Sequence, residues 1–301
     1  METAILVGFL AAAVRVATPL MLAATGEAIG QRGGVINLGV EGAMLVGALA
    51  ATIGASIDGS TTGVLAAIVA GASASAVFAL VSIVAGADQI ITGTAVTLGA
   101  VGVSGTVYRQ YFGPEGAGLS LTTLDPVRIP LLSEIPVLGP VLFSQSVLGY
   151  LAFLAIPAVW WLLFRTRWGL RLRAVGESRE AARVAGVRVV VIRTTAAIAG
   201  GAFAGLAGAS LVLAQVGTFT EQMTAGRGFV AIAIVVLGRW NPMGIALAAL
   251  LFGAANASQF MFQAMDILIP YQFFLMLPYL LTILALAGAV GHVTAPRELG
   301  R

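Results

Sequence analysis

Arg165-Thr-Arg-Trp-Gly-Leu-Arg-Leu-Arg-Ala-Val-Gly-Glu-Ser-Arg-Glu-Ala-Ala-Arg-Val-Ala-Gly-Val-Arg-Val-Val-Val-Ile-Arg193 holds eight of the sixteen basic residues of this chain, with thirty uncharged positions before it and twenty-seven after. Short loops rich in arginine stay on the cytoplasmic side of a membrane, so this stretch orients everything on either side of it. Its only acids are Glu177 and Glu180, leaving +6 on the segment against +3 for the whole chain. One basic island sits in an otherwise apolar sequence.

The remainder reads as membrane. A chain of 301 residues that is 59% hydrophobic and 10% charged, with mean hydropathy +0.99, is too apolar for a soluble globule. At about 20 residues per crossing, the expectation is an all-α, polytopic helical bundle of about eight to ten transmembrane helices. It forms a single transmembrane domain over residues 1–301, with an external loop at 109–145 and a cytoplasmic loop at 165–193. Several functions drop out on residue type alone. Without cysteine, and with His292 as the one histidine, there is no disulfide framework, thiol nucleophile or Cys/His metal site. Every basic residue is arginine, so a Walker-type phosphate loop and Schiff-base chemistry are absent, and the chain itself is not an ATPase. The pI near 9.8 is topogenic, and nucleic acid is not an expected partner. Membrane lipid is.

Nearly uncharged runs place nine spans near 3–25, 35–57, 62–86, 89–108, 145–164, 194–214, 228–238, 243–263 and 270–290. The first is read as a span, not a signal peptide, because it lacks a basic n-region and a cleavage pattern. Alternation puts Arg32, Arg239 and Arg297 inside and the N-terminus outside. Phe229–Gly238 is too short to cross alone and predicts a broken or re-entrant helix, unless that span begins nearer Gln215. Tyr111 to Gln145 holds five of the eleven prolines, which predicts a structured but non-helical outer connection. Arg32-Gly-Gly and Arg227-Gly-Phe precede similar apolar stretches on opposite sides of the membrane, the pattern an inverted repeat leaves.

A charge inside the bilayer needs a partner, a cavity or a nearby interface. Arg15 and Glu41 are the two charges lodged within spans, and they are candidates for an intramembrane ion pair; Asp88 and Asp266 lie near span ends. Asn37, Glu41, Gln89, Thr92, Thr94, Asn256 and Gln259 are candidates for the substrate path, since amides and hydroxyls match the polar edges of a neutral solute. In the basic island, Ser178 can cap a short helix that Gly186 ends, with Glu180 in its first turn. Ala181, Val184 and Ala185 would then form a small apolar face suited to a groove of a soluble partner, and Arg179 and Arg183 a basic one.

The Glu180-Ala-Ala…Gly186 spacing resembles the EAA-type coupling loop of ABC importer permeases, without the continuation of that motif's fullest form. Thr18-Pro-Leu, Gly26-Glu-Ala, Gln31-Arg-Gly-Gly-Val-Ile-Asn-Leu-Gly-Val-Glu-Gly-Ala-Met44, Asp88-Gln-Ile-Ile-Thr-Gly-Thr94, Leu172-Arg-Ala-Val-Gly-Glu177 and Pro278-Tyr-Leu-Leu-Thr282 extend the likeness. Together they resemble the permease family serving branched-chain amino acids, ribose and nucleosides, nearest its nucleoside-type branch. The resemblance implies a multi-pass permease of a prokaryotic cell membrane. It pairs with a second related permease chain, a cytoplasmic ABC ATPase that binds ATP and Mg, and an external substrate-binding lipoprotein; no cofactor is bound by this chain. Arg173, Gly176, Glu177, Glu180, Ala181, Ala182 and Gly186 then become candidates for ATPase coupling. Nucleosides are the expected cargo, with ribose-like sugars or a vitamin such as riboflavin as alternatives. An ion-coupled secondary transporter is the rival class, and Glu41 is its one strong candidate for an ion-coordinating group.

Overall fold

The computed structural model describes residues 2–113, 121–264, 276, 277, 280–284, 287 and 295–300, with side chains from residue 5 and not over 259–264. It is helical almost throughout. In chain order come α1 (Glu2–Arg32), α2 (Val40–Ala79), α3 (Gln89–Phe112), α4 (Leu138–Leu142), α5 (Val147–Arg165), α6 (Arg167–Glu177), α7 (Arg179–Val184), α8 (Val189–Leu211), α9 (Arg227–Leu237) and α10 (Pro242–Ala264). Among the described residues, five helical stretches are long and apolar enough to cross a membrane.

One of the five, Val40–Val84, doubles back on itself. Asp58 (φ −145°, ψ 32°) and Gly59 (φ 80°, ψ 178°) interrupt α2. In a straight helix Gly54 and Gly63 would lie about 13 Å apart, yet a Cβ at Gly54 would sit 2.9 Å from the Gly63 Cα. The two arms are therefore antiparallel, and the separate spans expected at 35–57 and 62–86 are the two sides of a glycine-tight hairpin. The ninth span, 270–290, falls mostly outside the described residues, as do Asp266 and His292.

Helix α8 forms the axis of the bundle. Its Gly201, Gly205 and Gly208 meet Ser75, Ala67 and Met44, which belong to both arms of α2, and Gly26 of α1 abuts Gly200 and Phe203. With no hydrophobic force between helices in lipid, such small residues earn their contact through close van der Waals approach. Around this axis Leu20, Met21, Met44, Ile234, Ile245 and Phe252 form the main core. The opposite surface is apolar and bare: Ile91, Leu98 and Val103 of α3 are more than half exposed.

The described part of this connection, 121–145, is structured but not free of helix as its prolines predicted: a 3-10 turn forms at Leu132–Glu134 and α4 at Leu138–Leu142, where Pro140 falls in the first turn and costs no intrahelical N–H bond. Val127–Arg128 pairs antiparallel with Ser144–Gln145, and the short α4 lies between them. Leu121 N–H donates to the Gly217 carbonyl (2.7 Å) and Leu124 N–H to the Leu213 carbonyl (2.7 Å), pinning this loop to the π-helical turn Val212–Val216 and the glycine that follow α8. Arg109 and Glu221, both assigned to the outer side by alternation, form an ion pair at 3.4 Å there. At the other end Arg32 Nε donates to the Trp240 carbonyl (2.9 Å) and Glu298 N–H to the Gly176 carbonyl (2.9 Å). Four segments that alternation places inside thus meet beside α6 and α7.

Candidate functional site

The centre of the molecule is built around Glu41. Helix α9 has 11 residues, about 16 Å of rise, roughly half of a hydrocarbon core about 30 Å thick. The chain reaches its start through the non-helical stretch 217–226, with Gly217 and Gly226 both at positive φ. This is the broken element expected at 228–238, and it leaves the first N–H groups of α9 without intrahelical partners deep in the bundle. Glu41 supplies the acceptor: its carboxylate takes hydrogen bonds from Gly226 N–H (2.8 Å) and Gly228 N–H (2.6 Å). The approach needs glycine at 228, where a Cβ would stand 2.6 Å from the Glu41 backbone N and Cα. Glu41 also lies in the first turn of α2, so one carboxylate serves the positive ends of two helices. The two similar segments, Arg32-Gly-Gly and Arg227-Gly-Phe, thus lead to helix starts that meet at this residue.

Arg15 is elsewhere. It is exposed and lines a cavity of about 390 Å³ with Thr18, Gln145 and Gln215, and its carbonyl accepts from Gln215 Nε2 (2.9 Å). The structure does not bring Arg15 and Glu41 together, because the charge at Glu41 is met by backbone N–H groups. A second cavity, of about 280 Å³, lies against Glu41 and is lined by Thr97, Gln222 and Thr224 among others.

Two of the expected path residues hold the link between α1 and α2. Asn37 is buried in the link between α1 and α2; its Oδ1 accepts from Gly39 N–H (2.9 Å) and its Nδ2 donates to Ser75 Oγ (3.2 Å). Gln89, also buried, accepts from Ile36 N–H (2.8 Å). The same link is held by Glu27, whose Oε1 accepts from Asn37 N–H (3.2 Å) and Gln31 Nε2 (3.1 Å), while Gln31 Oε1 accepts from Trp240 Nε1 (2.7 Å). Arg193 turns inward from the basic island to donate to the Gly34 carbonyl (3.0 Å). Glu27 falls just past the end of a predicted span, where solvation is the ordinary expectation; its i, i+4 spacing to Gln31 on one helix face is the sequence signal for this role. Thr92 is buried, Thr94 faces outward with its hydroxyl bonded to the Ile90 carbonyl, and Asn256 bonds the Phe252 carbonyl one turn back. The Gln259 side chain lies outside the described residues.

At the end expected to face the cytoplasm, the island folds into two helices between α5 and α8. Thr166 caps α6 and Ser178 caps α7, accepting from Gly169 N–H (3.0 Å) and Ala181 N–H (3.2 Å). Gly186 ends α7 at φ 79°, with Gly186 N–H and Val187 N–H bonded back to Arg183 and Ala182, the left-handed stop that favours glycine. Ala182 is buried and anchors α7, whereas Glu180, Ala181, Ala185 and Gly186 are exposed and Val184 is 90% exposed. The rest of the chain leaves this apolar side chain uncovered. Behind it, Arg173 and Arg32 both sit over the Phe164 ring, at 5.1 and 5.5 Å. Gly176 is buried where a side chain would strike the Arg32 carbonyl, and Glu177 is exposed. Arg179 does not share a free basic face with Arg183; it turns to Glu298 instead (2.8 Å).

Comparison with known proteins matches the chain to a permease family. The family described as the permease component of branched-chain amino acid transport systems matches residues 9–286. The chain is 39% identical to a provisionally named glucose ABC transporter permease of Haloferax volcanii, covering 86% of this chain and 79% of that one. It is 36% identical to a guanosine ABC transporter permease of Bacillus subtilis and 35% identical to a nucleoside ABC transporter permease of Lactococcus lactis; each covers 94% of this chain and 92% of the relative. A second guanosine permease of the same Bacillus is 30% identical over 80% of this chain. No solved structure matches.

Proposed function

The chain belongs to the permease-component family of branched-chain amino acid transport systems, and from that premise we propose that it is the membrane-spanning subunit of an ATP-driven importer of nucleosides. The observation that carries the coupling half of this reading is α7, a capped stub with its apolar side open to the cytoplasm. In this reading the ATPase partner, which binds ATP and Mg, seats on that stub. ATP binding closes the ATPase, α7 moves with it, and the pore changes sides. The chain itself performs no chemistry.

The cargo half rests on the two nucleoside-type relatives and on Glu41. A helix N-terminus inside a membrane transporter is an anion site, and at α9 that site is already filled by a carboxylate of the protein. A phosphate or carboxylate would meet negative charge there, while Thr97, Gln222 and Thr224 beside it offer hydrogen bonds to a neutral solute. Nucleosides fit; nucleotides do not. A sugar cargo is the second reading, favoured by the Haloferax relative. A second permease chain completes the pore in our reading, supported by the two distinct guanosine permeases of one bacterium, and an external binding lipoprotein delivers the solute.

Reconstitution of the complex in vesicles tests this directly. ATP-dependent uptake of labelled guanosine that resists a proton and sodium uncoupler, with no uptake of guanosine monophosphate, is the expected result. Uptake driven by an ion gradient without ATP overturns it.

A further inference from the structure

The last described residues of the chain converge on the start of α7. Glu298 Oε2 receives Arg179 Nε at 2.8 Å, with the two side chains only 19% and 31% exposed, and Glu298 Oε1 receives Arg179 N–H at 3.4 Å. Glu298 N–H donates to the Gly176 carbonyl at the end of α6 (2.9 Å). The other side of the same residue presses on the link between α1 and α2: a Cβ at Gly34 would lie 2.9 Å from the Glu298 carbonyl oxygen. Leu299 packs against the main core, and Arg193 reaches the Gly34 carbonyl from α8 (3.0 Å). Seven residues after Gly34, the chain carries Glu41 and its hold on α9.

These contacts form a continuous solid path from the stub to the middle of the bundle. A partly buried, hydrogen-bonded ion pair transmits displacement where a solvated one would yield. Resting on the reading of α7 as the ATPase-facing helix, we infer that Glu298 is a positioning residue for coupling: it straps Arg179 and Gly176 to Gly34, so that movement of α7 is passed to the link that ends at Glu41. The strap is an intramolecular joint and touches neither nucleotide nor cargo.

The test uses the full complex in vesicles and reads three quantities together: ATPase retained on the permease, ATP hydrolysed, and solute taken up. Glu298→Arg and Arg179→Glu are each expected to keep the ATPase bound and hydrolysing while uptake per ATP falls at least tenfold, and the double exchange is expected to recover most of that loss. Wild-type uptake per ATP in both single variants overturns the strap. So does loss of the ATPase from the complex, which makes Arg179 a docking residue, or a parallel fall of hydrolysis and uptake with folded protein, which makes the pair merely structural.

If Arg193 disfavours the exchanged pair, a second variant decides. This chain has no cysteine, so, in a complex whose other subunits are first made cysteine-free, Arg179→Cys with Glu298→Cys can be bridged by a short reversible bifunctional thiol reagent. Uptake per ATP restored by the bridge and lost on reduction upholds the strap; no restoration overturns it. Val184→Asp separates this inference from the reading beneath it. If that variant is harmless, α7 is not the coupling helix, whereas if it abolishes uptake while the Glu298 variants stay normal, only the strap fails.

Discussion

Replacing Glu41 by glutamine changes one atom, yet the geometry assigns it a definite cost. The carboxylate accepts from Gly226 N–H at 2.8 Å and Gly228 N–H at 2.6 Å, and Glu41 is only 7% exposed. Glutamine keeps one acceptor oxygen and turns an NH₂ group toward the other donor. One charge-assisted hydrogen bond, worth about 1.5–3 kcal/mol, is lost, and the charge that met two helix ends goes with it, roughly another 0.5–1 kcal/mol. The recovered solvation of the charge offsets part of this, leaving about 2–3 kcal/mol. Reversible unfolding in mixed micelles, followed by helical circular dichroism, measures the shift. Arg15→Gln should be nearly silent, and the two substitutions should add with a coupling energy below about 0.5 kcal/mol, as for independent sites. A coupling above about 1 kcal/mol would mean that Arg15 and Glu41 pair after all, and the backbone-capping account of Glu41 would be wrong.

Three further outcomes follow from the same geometry. Gly205→Val puts a side chain into the Ala67 carbonyl, with Gly47 and Gly71 closing from both arms of α2; a loss of about 3 kcal/mol or more should appear as a sharp fall in monodisperse protein by size exclusion. At Gly186 nothing lies within 4 Å of a would-be Cβ but φ is 79°, so Gly186→Ala should cost only about 1 kcal/mol through backbone strain, and Gly186→Asn less; loss of uptake in the alanine variant without loss of folded protein would point to contact with the ATPase. Asn37→Ala removes the bonds to Gly39 and Ser75 together, about 2 kcal/mol; if Asn37 instead touched cargo, the variant would raise KM at unchanged stability.

The segments legible in advance were those whose cause is local. α7 is spelled by Ser178 and Gly186 within the Arg165–Arg193 island, and the break near residue 58 and the half-length α9 follow from turn residues and from the length of an apolar run. Asn37 and Gln89 illustrate the limit. An amide inside a span looks the same whether it faces a solute or a neighbouring backbone, and only the fold revealed that Ser75, Ile36 and Gly39 were waiting for them. Glu27, Arg193 and Glu298 were overlooked because each sits at the margin of a run, where solvation is the ordinary expectation.

Charge density and hydropathy are properties of short windows, so the sequence by itself determined a helical membrane protein and its family resemblance. The partner of Glu41 could come only from tertiary structure. A sequence displays side-chain charges, and Arg15 was the visible counter-ion; the groups that meet Glu41 are main-chain N–H donors of Gly226 and Gly228, 185 and 187 residues away. Every residue but proline carries such a donor, and only the broken start of α9 leaves these two free to bind.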